Sequence, residues 1–526
     1  MPDALTYPGV YVQELPSGVR TIIGVGTSST AFVDSFSRGP LDTAVQVTSW
    51  AAFERVFGGL RADSEGSYAV QQFFLNGGST AWIVRVAGVP EPPDAATPPA
   101  APAALSMEPA GKSLMVKAVD PGKWGNRLRV VATAVAGSPK LFNLMVQEVV
   151  STAGNLSVLE SETFLNLSMV PGEAGFAPDV VNTGSRLVRL EVQPPGQLPT
   201  LAPVDARGGV ADAAWKPLAG GTEGALPDAK ALTGSPDAGT GLYALERISP
   251  AIFNLLCLPR ASALDSTGFG AVISKAQAFC RTHRAFLLVD PPAKGAEDEA
   301  KMAAWVESAN IRDANAAVYF PRLSIPDPLN GFRLRTVGPS GTVAGIYART
   351  DAARGVWKAP AGVDATLAGA TPVLRLTDPE NGNLNPRGVN ALRTFPIYGP
   401  VVWGARTLVG ADQMASQWKY VPVRRTALFI EETLFQGLRW AVFEPNDEPL
   451  WTQIRMSVDD FMHGLFRQGA FQGATPREAY LVQCDATTTT QGDIDRGIVN
   501  LIVGFAPLKP AEFVVLKLQQ IAGQTS

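Results

Sequence analysis

The sequence predicts a multidomain α/β chain with an all-β insertion and unpaired strands at its two ends, and three observations carry that prediction. Between residues 252 and 320, apolar runs alternate with helical stretches in a βαβαβ order, the pattern of a sheet with parallel neighbours and covering helices. Between 113 and 192 the pattern changes to short alternating runs separated by turn residues, which predicts an all-β sandwich. At the extremities, residues 8–14 and 512–520 have strand character but no hairpin partner beyond them. With 526 residues, 46% of them hydrophobic, the chain can bury two to four cores, because single cores stop growing at roughly 250 to 300 residues.

In chain order, Val10 and Val12 alternate with Tyr11 and Gln13 after a Pro-Gly start, until Leu15-Pro16-Ser17-Gly18 breaks the strand. Strands are expected at 22–25 and 31–33. Ser49 is placed to cap a helix over 50–57, with Gly58 ending it. A second helix over 68–76 stops at Gly77-Gly78, and a buried strand follows at 81–86. The stretch VPEPPDAATPPAAPAALSMEP, 89–109, cannot hold a helix or central strand, since proline lacks the N–H donor and has a fixed φ. Runs at 128–135, 141–150 and 187–192 make up the insertion. Strands at 252–258, 285–289 and 316–320 flank helices around 271–283 and 299–308. Further on, the pattern predicts a strand at 400–403, a helix over 420–436 closed by Gly437, and a strand at 439–443. A helix capped by Asn446 runs to Gln468, with Ile454, Val458, Phe461 and Leu465 on one face. Strands at 479–484, 498–505 and 512–520 close the chain.

Composition narrows function mainly by exclusion. Charged residues make up 17%, and 44 basic side chains nearly balance 48 acidic ones for a net charge of −4. A dedicated nucleic-acid binder needs a clustered basic surface, so no direct nucleic-acid partner is expected. The N-terminus has no basic and apolar leader, and apolar runs elsewhere fall short of the roughly 18 residues of a membrane span. Cytoplasmic assembly without a membrane span is the expectation. Cys257, Cys280 and Cys484 are widely spaced and read as buried reduced thiols.

The sequence offers little catalytic chemistry, so no cofactor and no enzymatic role are expected. Its two histidines, His283 and His463, fall at a helix end and on a polar helix face. Gly338-Pro339-Ser340-Gly341 lacks nucleophile-elbow spacing and reads as a turn. Gly24-Val25-Gly26 lacks both the third glycine of a dinucleotide loop and the ending of a phosphate loop. Asp459-Asp460 with His463 is the one metal candidate, but a solvated charged helix face is the better reading, so no metal site is expected. The stretch DATTTTQGDID, 485–495, lacks calcium-loop alternation and reads as a flexible loop.

Two stretches carry a family resemblance: LNPRGVNALRTFPIYGPVVWGARTL at 384–408 and VRRTALFIEETLFQGLRWAVFEPNDEPLW at 423–451. They resemble the core domain of contractile tail sheath proteins, which sheathe phage tails and phage-tail-like injection particles. Further similarity lies in YPGVYVQE at 7–14, DPGKWGNRLRV at 120–130, GGTEG at 220–224, VGPSGTVAGIYARTDAARGVWK at 337–358 and APLKPAEFVVLKLQ at 506–519. The resemblance implies a discontinuous α+β core built from N- and C-terminal segments. Residues 21–88 and 355–510 would form that core, joined through a 89–110 linker, a 111–219 outer all-β insertion and a 220–354 α/β middle domain. Residues 1–20 and 511–526 would be exchanged between subunits. It further implies hexameric rings stacked helically around an inner tube protein, with baseplate and terminal cap proteins at the ends, in a phage tail or a released particle. Contraction from a metastable extended state would drive the tube.

The residues support self-assembly independently of the resemblance. A terminal strand without a hairpin must find a sheet edge, and β-augmentation of a neighbour provides one. Because donor and acceptor surfaces differ, the contact is heterologous and propagates. Tyr7, Gly9, Val10, Tyr11, Val12 and Gln13 are the expected N-terminal contacts, and Phe513, Val514, Val515, Leu516 and Leu518 the C-terminal ones. Pro16, Gly18, Pro507 and Pro510 stand where hinges are needed. The charged face of the 446–468 helix, with Arg455, Asp459, Asp460, His463 and Arg467, is the candidate tube-facing surface; a solvated face and a contact between subunits stay open. A tube or baseplate component, and more remotely an α/β enzyme using 252–320, are the competing readings.

Overall fold

A computed structural model describes residues 20–89, 98–152, 155–194, 196–205 and 209–517. Among these, eight strands form the largest sheet. Its order is Gly399–Val402, Val389–Phe395, Ala316–Phe320, Phe286–Val289, Leu255–Cys257, Thr30–Asp34, Ala81–Arg85, Ala44–Val47. The six inner strands are parallel, and the strand at each edge is antiparallel to its neighbour. Strands buried on both faces read as continuous apolar runs, and every residue of Thr30–Asp34, Phe286–Val289 and Ala316–Phe320 is buried. Local caps set the helices between them. Ser49 accepts from the Ala52 N–H at 3.1 Å, Gly58 ends that helix at φ +85°, and Asp265 and Asp298 cap Ser266–Thr282 and Glu299–Ser308.

The chain leaves Thr30–Asp34 toward Ala81–Arg85 on one side and later returns to Leu255–Cys257 on the other. Between Thr30–Asp34 and Leu255–Cys257, therefore, the direction of winding reverses. In open α/β sheets a crevice opens at such a point, beyond the carboxyl ends of the strands.

The insertion is all-β apart from short helices. One sheet orders Lys216–Pro217, Leu128–Val135, Ser138–Thr152 and Asn155–Ser168; the other orders Ala104–Ser106, Leu114–Ala118 and Val188–Val192. The two sheets share a core that includes Trp124, Leu128, Val130, Phe142, Leu144 and Val146. Alternate residues of the Ser138–Thr152 strand, Phe142, Leu144 and Val146, point into it, as period-2 alternation requires. The helix Ala177–Gly184, absent from the sequence prediction, also packs there through Ala177 and Val181.

Contacts divide the described chain into two units: 28–353 with 360–421, and 20–27 with 354–359 and 422–517. The second unit contains the helices Val421–Gly437 (from Pro422 onward) and Glu448–Arg467 and a two-stranded sheet of Tyr480–Gln483 against Ile502–Phe505. Its core gathers Ile22, Ile430, Leu434, Ile454, Val458, Met462 and Leu465.

Several expectations are corrected. The large sheet takes strands from 21–88, 252–320 and 389–402, segments that the sequence divides among core and middle domains. Apolar runs mark strands but say nothing about which run pairs with which. Residues 439–443 form no strand: Arg439–Ala441 is a 3₁₀ turn, and Phe443 sits at φ +70° where the chain reverses between two helices. Residues 22–25 are extended but unpaired, held by side chains of their own unit. The cap of Glu448–Arg467 is Asp447, while Asn446 accepts from the Trp451 indole N–H at 2.8 Å. Ser340 and Gly341 begin a helix, Ser340–Arg354, rather than a turn. Residues 485–495 are ordered by their own carboxylates, with Thr490 and Asp493 forming a capping box for Gln491–Ile494.

Candidate functional site

The smaller unit is built around an extended segment pinned along a helix. The Arg20 N–H donates to Ser457 Oγ at 3.1 Å, and its guanidinium lies over the Trp440 ring at 4.5 Å. Ile22 is buried against Gly437, where any Cβ would come within 2.7 Å of it. Gly24 leaves room for the Phe429 ring, the Val25 N–H donates to Thr433 Oγ1 at 3.2 Å, and Arg425 donates to the Thr27 carbonyl at 2.9 Å. Residues 20–27 thus have one fixed course. Tyr7, Gly9, Val10, Tyr11, Val12 and Gln13 lie outside the described residues, as does Leu518.

At the other end, Tyr480–Gln483 and Ile502–Phe505 pair only with each other among the described residues. A two-stranded sheet is marginal in water and leaves a row of backbone groups on each outer edge. Beyond it, 511–517 enters no ladder among the described residues. Phe513, Val514, Val515 and Leu516 are 75%, 91%, 77% and 78% exposed. A strand on its own sheet would bury every second side chain, whereas here four consecutive apolar residues have no covered face.

The charged face of Glu448–Arg467 divides in two. Arg455 donates to the Cys484 carbonyl at 2.6 Å and to Thr452 at 3.0 Å, and pairs with Glu448 at 3.5 Å. The Tyr480 hydroxyl lies 3.4 Å from His463 Nδ1, and burial, with Asp459 as a hydrogen-bond partner, pushes that phenol up to about 12. Arg455, Asp459 and His463 therefore tie the helix to its neighbouring strand, and only Asp460 and Arg467 project outward uncommitted to it. Among the described residues no His, Cys, Asp or Glu group is arranged to hold a metal, and no helix is long and apolar enough to cross a membrane. Cys257, Cys280 and Cys484 are buried and unpaired, and burial raises the pKa of each thiol.

In the larger unit, the crevice at the winding reversal is filled by the chain's own polar side chains. Asp34, at the end of its strand, accepts from the Ser35 N–H at 2.6 Å and the Arg260 N–H at 3.1 Å. Asp290 accepts from the Ser340 N–H and hydroxyl at 2.7 and 2.6 Å. Glu65, at the start of Glu65–Leu75, accepts from Arg322, from the Gly338 N–H at 2.8 Å and from Ser262 Oγ at 3.0 Å. Gly66 packs directly on Asp34 and Gly338 on Asp290, since a Cβ on either would fall within 2.4 Å of the carboxylate side chain. Burial, reinforced by the negative charge of Glu65, pushes Asp34 up to about 7 and Asp290 up to about 6. The sequence held no signal for this cluster, because its members come from six separate segments.

Residues 413–521 match the phage tail sheath C-terminal domain family. Over 186 residues, 35% of this chain, the sequence is 26% identical to the tail sheath protein of Vibrio phage KVP40, and that alignment spans 26% of the phage protein. Among solved structures, the helical sheath of the anti-feeding prophage in its contracted state aligns with 98% of this chain and 100% of its own, with TM-score 0.58 and 22% identity. The contracted sheath of the extracellular contractile injection system PVC aligns with 98% of each chain, with TM-score 0.56 and 21% identity. A sheath tail protein from Listeria innocua aligns with 92% of this chain and 96% of its own, with TM-score 0.58 and 13% identity. Residues 413–521 thus resemble a phage tail sheath C-terminal domain, and the fold is similar to that of solved sheath proteins.

Proposed function

We propose that this chain is the structural sheath subunit of a contractile phage tail or phage-tail-like injection particle. Subunits polymerise as hexameric rings stacked helically around an inner tube protein, between baseplate and cap proteins, and contraction drives the tube through a target envelope. The observation that carries this reading is the exposed apolar segment Phe513–Val514–Val515–Leu516 beside an open two-stranded sheet, within the domain that matches the sheath family. Each subunit donates its terminal strands to a neighbour's open edge, with main-chain hydrogen bonds giving strength and the alternate side chains giving register. The pinned course of 20–27 anchors the root of the N-terminal strand, and Asp460 and Arg467 are the side chains left to meet the tube.

Electron microscopy of the purified full chain tests this directly. Striated hollow cylinders are expected. Chains lacking 1–19 or 511–526 should remain folded and form no cylinders. Normal cylinders from both truncated chains would overturn the strand-exchange reading, and a strictly monomeric full chain at high concentration would overturn the sheath reading itself.

A further inference from the structure

The buried cluster at the carboxyl edge of the large sheet is not needed for strand exchange, and its composition is unusual. Glu65 lies beside two buried carboxyl groups, Asp34 and Asp290, and Arg322 is the guanidinium paired directly to it. Around Asp34 stand Glu65 from Glu65–Leu75, Arg260 beyond Leu255–Cys257, and Arg61, which itself pairs with Asp63 and Glu223. The Arg260 backbone serves Asp34 while its guanidinium donates to the Pro227 carbonyl at 3.2 Å. Around Asp290 stand Glu65, Arg322, the Cys257 thiol and Ser340. Asp34 and Asp290 are almost wholly removed from water. Ionising both beside Glu65 would place three negative charges around that one direct ion pair, in a medium that screens them weakly.

We propose that this cluster is a proton-dependent latch: with its aspartates protonated it holds together the loops at the carboxyl ends of four neighbouring parallel strands, and it loosens as they ionise. Those strands are Thr30–Asp34, Leu255–Cys257, Phe286–Val289 and Ala316–Phe320, and the latch joins them to the first turns of Glu65–Leu75 and Ser340–Arg354. The direction follows from linkage. A carboxyl group whose folded-state pKa is raised contributes stability that is fully present below its unfolded value near 3.8 and is lost as pH rises through the folded value. With folded values of about 7 and about 6, the window is pH 5 to 8.

Thermal unfolding of the full-length chain at pH 6 and pH 8, in wild type and in Asp34→Asn, tests the latch. Between these pH values Asp34 should lower the wild-type midpoint by about 2 °C relative to the variant, whose neutral amide has nothing to lose. Infrared difference spectra should show a protonated carboxyl band at pH 6 that fades by pH 8 and is weaker in Asp34→Asn. If that variant does not fold, Asp290→Asn and the wild-type spectrum decide the matter by the same criteria, the part of the band that this variant lacks fading at lower pH than the Asp34 band that it keeps. Absence of any protonated carboxyl band at pH 6, or parallel pH profiles for wild type and a folded variant, would overturn the proposal. Assembly plays no part in either readout, so failure here leaves the sheath reading intact.

Discussion

Asn390 is fully buried, and its side-chain amide does the bonding of three separate groups. Its Nδ2 donates to the Val318 and Arg406 carbonyls at 3.1 and 2.7 Å, and its Oδ1 accepts from the Arg406 N–H at 2.6 Å. Arg406, itself 1% exposed, reaches the carbonyls of Asn385 and Gly410 and the carboxylate of Asp412. Asn390→Ala strands these groups out of reach of water and should destabilise the chain by about 2–3 kcal/mol, measured by denaturant unfolding. Surface charge behaves differently. Reversing Asp460 and Arg467 together should change subunit stability by less than about 1 kcal/mol while weakening assembly on the tube, read by cosedimentation. Tube-bound assembly unaffected by that double change would remove this face from the tube interface. Ser49 and Gly58 were legible because a cap acts within four residues. Asn390 and the Asp34 cluster were not, because their partners lie tens to hundreds of residues away.

Between elements, two glycines one turn apart set a close helix contact. A Cβ on Gly341 would fall 2.2 Å from the Ala69 carbonyl oxygen, and one on Gly345 would fall 2.5 Å from that of Phe73. Ser340–Arg354 therefore lies directly on the backbone of Glu65–Leu75, and backbone cannot swing aside as a side chain can. Gly341→Ala should cost about 2–3 kcal/mol by overpacking, despite alanine's better helix propensity, and calorimetry would record the lowered midpoint. Asp447→Ala, by contrast, removes only a cap, whose carboxylate accepts from the Leu450 N–H at 3.3 Å, and should cost about 1 kcal/mol. Helices with strong periodicity were found in the sequence to within a few residues. The stretch 439–443 was misread because Trp440 and Val442 alternate as in a strand, while the chain there is reversing between two helices.

For the whole molecule, the open sheet and the bare C-terminal segment belong to one unit, and the latch and the insertion to the other. Replacing Val514 and Leu516 by Asp should leave circular dichroism of the subunit unchanged, since neither side chain is covered, and should abolish polymers in sedimentation. A lowered melting point for that variant as a monomer would show that the segment packs on its own chain.

The sequence by itself determined what short-range chemistry can encode: the apolar runs that become strands, the helix caps and the βαβαβ order. It also determined the sheath resemblance that the comparisons bear out, and the surplus of strand-forming residues at the C-terminal end. Tertiary structure alone decided that strands from three distant segments share one sheet, that Arg455, Asp459 and His463 serve their own neighbours, and that Glu65 lies beside two buried carboxyl groups. The physical reason is the range of the forces involved. A cap or a period-2 pattern is written into adjacent residues, whereas pairing, burial and charge proximity depend on which distant segments the folded chain brings within a few ångströms.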